Sequence, residues 1–135
     1  MHKRIKQFLI VFGLIMAFST AVNAFAEPLQ LVIYTGEGPK TSNILNCSNY
    51  IDFDGVNSIY STNDLYVELL ENGTLFDTTI VSLRLVPGTG WMGEEWYRIL
   101  SNYNLGASNV PLKIHLDPAG AIAGCFGAGK LTDLP

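Results

Sequence analysis

The feature that most narrows what this chain can fold into is its punctuation. From residue 29 onward the apolar runs are short and rich in Val, Ile, Leu, Thr and Tyr, and they are broken by Gly, Pro, Asn and Asp at intervals too close for a helical domain. Residues 29–35 form an apolar, β-branched run interrupted only by Gln30, ending at Gly36-Glu37-Gly38-Pro39, which cannot continue a strand. Asp54-Gly55 and Asn72-Gly73 have the chemistry of two-residue reverse turns, because both positions of such a turn need positive φ. They predict hairpins joining 50–53 to 56–60 and 65–71 to a long strand that begins at Thr74 and runs to Val86. A third hairpin is predicted to turn through Asp117-Pro118-Ala119-Gly120, from 112–116 into 121–126. Hairpins build antiparallel sheets, which excludes a doubly wound parallel fold.

One segment has helical spacing. Trp96, Ile99, Leu100 and Tyr103 fall at i, i+3, i+4 and i+7, with Gly93 before them, Glu94 and Glu95 in the first turn and Gly106 beyond. The expected fold is therefore mainly β: a small antiparallel sandwich or partly open barrel of about seven strands with one short helix, α+β being the alternative.

The N-terminus reads as a cleavable export signal. Lys3, Arg4 and Lys6 precede an apolar run over 8–18, and Ala24-Phe25-Ala26 offers small residues at cleavage spacing. The apolar core is about eleven residues, against about 20 for a membrane span. The expectation is a signal peptide over 1–26, removed at Phe25 or Glu27, and one domain over 27–135, secreted or periplasmic. Residues 27–135 hold five basic and twelve acidic side chains, a net charge of −7. Such a domain repels nucleic acid and anionic lipid, and its five cations are scattered. Cys47 and Cys125 would meet an oxidising compartment, so a disulfide between them is expected, worth about 4.5 kcal/mol by loop-closure entropy.

The candidate chemical motifs dissolve on inspection. Gly124 to Lys130 has phosphate-loop spacing, but Leu131 stands where Ser or Thr is needed and too few residues follow for a helix. Asp52, Asp54 and Asn57 lack the spacing of an EF-hand and read as a solvated hairpin tip. Glu94 and Glu95 cannot flank one glycosidic bond as helix neighbours. On a strand, His115 would share an outward face with Lys113 and Asp117, opposite Leu112, Ile114 and Leu116. No catalytic residue, metal or cofactor is expected. The segment Pro87 to Gly93 instead presents Trp91 on a glycine loop, and it predicts a binding face with Glu94, Glu95 or Tyr97 at its rim. The function expected is an exported, non-enzymatic binding protein: an inhibitor, immunity or adhesion-type factor with a protein partner. The alternatives are a carbohydrate- or cell-wall-directed module or hydrolase, for which a glycan is the ligand, and an accessory subunit of an envelope or secretion complex.

Overall fold

A computed structural model describes residues 27–91, 94–120 and 123–135. The segment read as an export signal lies outside the described residues, as do Met92 and Gly93 of the tryptophan loop. The described residues form nine strands: β1 (Leu29–Ile33), β2 (Lys40–Thr41), β3 (Leu45–Cys47), β4 (Tyr50–Asn57), β5 (Leu65–Glu71), β6 (Thr78–Leu85), β7 (Tyr97–Asn104), β8 (Val110–Pro118) and β9 (Gly127–Asp133). They form two antiparallel sheets. One has the order β1-β9-β4-β7; in the other the order is β2-β8-β5-β6, with β3 also on β8.

Strand alternation builds the core between the sheets. Leu65, Val67 and Leu69 of β5 and Leu112, Ile114 and Leu116 of β8 are buried, and they meet Ile51 and Phe53 of β4 and Leu131 of β9. The outward positions of β8 are Lys113, His115 and Asp117, as the sequence predicts, and β2 runs alongside at His115 and Leu116. There His115 Nδ1 lies 2.8 Å from Thr41 Oγ1.

Four expectations need correction. Asp54-Gly55 is not a turn but the middle of β4, where Gly55 faces Gly129 on one side and Tyr97 on the other. The glycine is there for close packing: a Cβ would stand 3.0 Å from methyl carbons of Ile99 and Leu85. Among the described residues, which leave out 121 and 122, no third hairpin forms, because both edges of β8 are already taken by β5 and by β2 and β3. The chain crosses instead to β9 in the other sheet.

The expected helix is strand β7. Phe53 pairs with Leu100 and Asp54 with Arg98, so Ile99 is an extra residue on β7; a second shift lies between Ile51 and Phe53. These bulges break the period of two and leave Ile99 and Leu100 both partly buried, which imitates helical spacing in the sequence.

The disulfide is the fourth. Cys47 pairs with Val110 at the start of β8. The thiol of Cys125 lies against the carbonyls of Asn63 and Asp64, beside the far end of β8. At the rise of a β-strand those ends are roughly 25 Å apart, against a limit of about 7 Å between bridged Cα atoms. Both cysteines are free and buried.

Candidate functional site

Strand directions gather four connections at one end of the sandwich: 34–39 after β1, 58–64 after β4, 86–96 between β6 and β7, and 119–126 before β9. Asn57, the last residue of β4, organises two of them, 58–64 and the one that follows β6. Its amide nitrogen donates to the carbonyls of Asn63 (3.0 Å) and Leu85 (2.9 Å). Its backbone N–H donates to Thr89 O, and its carbonyl accepts from Gly88 N, both at 2.9 Å. A buried side chain with this many bonds fixes loops that would otherwise be costly to order.

The tryptophan loop closes on itself beyond that anchor. Trp91 N donates to Glu95 O at 2.5 Å and Glu95 N to Trp91 O at 2.9 Å. Gly90 has φ +74°, and a Cβ there would stand 2.6 Å from Glu95 O, so this position requires glycine on both counts. Trp91 projects at the surface, 64% exposed. Beside it lie Ile59 and Tyr60, the latter 82% exposed, and Phe126, whose ring stacks on Tyr34 with centroids 5.6 Å apart. Ser58, Ile59, Tyr60, Gly90, Trp91 and Phe126 line a groove of about 130 Å³ that is mainly apolar and aromatic, with the Ser58 and Tyr60 hydroxyls and the Trp91 indole N–H as its polar side-chain groups.

Of the residues singled out in the sequence, only Trp91 lines this groove. Glu94 and Glu95 lie in the turn that closes behind it, and Tyr97 opens β7 with its side chain half exposed. Ile59, Tyr60, Phe126 and Tyr34 were not singled out. Ile59 and Tyr60 read as the end of a strand because they continue an apolar run, yet β4 stops at Asn57.

No protein-family model matches the chain, and no curated protein matches it. Among solved structures, the crystal structure of Yersinia pseudotuberculosis-derived mitogen (YPM) is similar with a TM-score of 0.44 and 14% sequence identity, over 80% of this chain and 85% of that one. A likeness that distant assigns no ligand.

Two further polar clusters are paired within the fold. Asp52 and Asp54, far from forming a solvated tip, share Arg98: its Nη1 lies 2.7 Å from Asp52 Oδ2, and its Nε donates to Asp54 Oδ1 at 2.5 Å. The hydrogen bond to Asp54 is the chief reason the guanidinium pKa is raised. A bound cation therefore already occupies the place of a metal. A polar depression near Thr62, Asp64, Tyr66 and Arg84 contains an aromatic ring, but Arg84 covers it at 5.6 Å from the centroid and is itself held by Asp64. Burial pushes the Cys47 thiol up to about 12 and raises that of Cys125, so neither supplies a thiolate nucleophile near neutral pH.

Proposed function

We propose that this chain is an exported, non-enzymatic binding domain that uses the apolar end around Trp91 to engage a protein partner. The observation that carries the reading is the exposed cluster Tyr34, Ile59, Tyr60 and Trp91, the last three set on loops that Asn57 ties to the rigid sheets. Exposed aromatics on a preorganised surface give large contact area for little lost side-chain entropy, the usual make-up of a binding hot spot. A protein suits this face better than a glycan, because a sugar is held by several fixed polar groups and the lining has no carboxylate, amide or cationic side chain, only the hydroxyls of Ser58 and Tyr60 and the Trp91 N–H.

The test is capture of partners by the wild-type protein and by Trp91→Ala and Tyr60→Ala, with a glycan array run alongside. Both side chains are largely in solvent, so each variant should unfold within about 0.5 kcal/mol of wild type. Each should weaken a protein partner by about 2 kcal/mol or more, roughly thirtyfold. Retained capture by both variants overturns the assignment of this face. Glycan binding abolished by the same substitutions would replace the protein partner with a carbohydrate.

A further inference from the structure

The two sheets end in four edges, and three of them are poor templates for another strand. β1 is five residues long. The β2 and β3 edge is split into pieces of two and three residues. β7 carries two register shifts and Asn102 at φ +48°. Edge strands left free in monomeric proteins are blunted in these ways, by shortness, interruption or bulging.

β6 differs from the rest. It runs for eight residues, Thr78–Leu85, with neither proline nor lysine, and among the described residues it pairs with β5 alone; its single register shift, which leaves Ile80 extra between the partners of Leu69 and Leu70, lies in its first half, and Val81–Leu85 is regular. Ile80, Val81 and Leu83 pack on the core yet stay only partly buried. Residues 78–83 carry no charge, on a domain whose residues 27–135 hold twelve acidic side chains against five basic. Arg84, at the end of the strand, is bound to Asp64. The edge is therefore a neutral, β-branched strip on an acidic molecule, along which two copies can approach without setting carboxylate against carboxylate. The acid nearest the middle of the strand, Glu68, is one strand inward, where it accepts from Ser82 Oγ, and Asp77, just before Thr78, is paired with Lys113. Across a joined pair the two Glu68 side chains would stand three strand spacings apart, roughly 14 Å, beyond the screening length at physiological salt.

We propose that β6 pairs antiparallel with β6 of a second copy about a two-fold axis through Ser82. Cross-strand partners point to the same face of a sheet, so their numbers must share parity, and the core-facing residues of β6 are Val81, Leu83 and Leu85, opposite Leu69, Val67 and Leu65. Centring the pair on Ser82 sets Val81 against Leu83 of the other copy, twice, and extends the buried face of the sheet across the join. It sets Ser82 against Ser82 on the outer face. The ladder ends at Val86, because Pro87 follows with no N–H to donate. Antiparallel pairing turns the two molecules end for end, so their Trp91 grooves face opposite ways. The dimer is isologous and closed, and it is built to bridge two partner molecules.

The experiment is sedimentation equilibrium of protein expressed from the full-length sequence, from about 1 to 100 μM, the range that resolves a micromolar dimer. Ser82 is exposed, so Ser82→Lys places two like charges on the axis at little cost to the fold, while its ammonium can still pair with Glu68 across the strand. Wild type should dimerise and Ser82→Lys should do so at least about tenfold more weakly. Ser82→Cys should form an intermolecular disulfide on mild oxidation and Thr78→Cys should not, since the two copies of residue 78 would lie at opposite ends of the ladder. A wild type that stays monomeric overturns the proposal, as does Ser82→Lys that dimerises undiminished. If Ser82→Lys fails to fold, the cross-link decides alone, and its absence in Ser82→Cys is equally fatal. Trp91→Ala should dimerise like wild type, so failure of the groove assignment and failure of this one are read separately.

Discussion

Replacing Arg98 with methionine isolates the polar cluster on the outer face of the β1-β9-β4-β7 sheet. Asp54 is 2% exposed; one carboxylate oxygen is held by Arg98 and the other has no hydrogen-bond partner among the described residues. Removing the partner of a buried charge costs about 3–5 kcal/mol. Two features reduce that here. The Arg98 side chain is half exposed, which places its contribution nearer to that of a screened surface pair, about 0–1 kcal/mol. Lys130, opposite Asp54 in the ladder, holds its ammonium 4.6 Å over the Trp96 ring, and it can turn toward a carboxylate left alone. The net expectation is a loss of about 2 kcal/mol, between the buried and the exposed limits. Urea unfolding at neutral pH and low salt reads it, with Asp54→Asn and the double variant completing the cycle. The double variant should regain most of the loss, because the cost lies in the stranded charge and not in the missing guanidinium. Arg98→Met within about 0.5 kcal/mol of wild type, or a double variant as unstable as Arg98→Met, would refute the reasoning.

Two further outcomes follow from buried groups. Asn57→Ala strands the carbonyls of Asn63 and Leu85, which should cost about 2–3 kcal/mol and speed hydrogen exchange in 58–64 and 86–91 more than in the strands; uniform exchange would deny Asn57 its role as the anchor of these loops. The two thiols should be silent to an aromatic disulfide reagent in the native state and both react after unfolding. Because their folded pKa values lie above the unfolded one, stability is fullest below about pH 8.5. It then falls by about 1.4 kcal/mol per pH unit for each thiol as the pH rises toward the folded value, about 12 for Cys47. A native thiol that reacts freely at pH 8.5 would contradict that burial.

The β-rich architecture was legible because it depends on local chemistry. The alternation over 112–117 assigns the buried and outward faces of β8, and Asn72-Gly73 does mark the connection between β5 and β6, although the loop it opens runs to Asp77, whose Oδ1 accepts from Gly73 N. The failures share one cause: a local signal with two physical origins. Gly55 has no side chain whether a turn requires positive φ or the opposite sheet leaves no room for a Cβ, and only Ile99 and Leu85, distant in sequence, show that the second holds. Ile99 beside Leu100 is half of a helical stripe or the trace of a bulge, and the partner Phe53 decides which. The groove was illegible for a related reason. Its residues come from three separated segments, 58–60, 90–91 and 126, which meet only because β4 and β6 end, and β9 begins, on the same side. Trp91 stood out through its glycines; Tyr60 and Phe126 carried no local mark.

The cysteines carry the same lesson one step further. An even count and an oxidising destination describe the opportunity to pair, whereas pairing itself depends on separation, which here is set by the length of β8. Cys47 is bound to one end of that strand through Val110, and Cys125 is packed beside the other end against Asn63 and Asp64. A bridge would require the sheets to come apart, because neither residue can move without leaving the core it helps to fill. Their burial has a second effect: a thiol with no exposed surface and a raised pKa presents little thiolate to any oxidant, so each is protected from mixed disulfides by the same packing that keeps them apart. What holds this domain together is then the two-sheet core itself, and the surface left for recognition is the set of apolar side chains that the core has no room to bury.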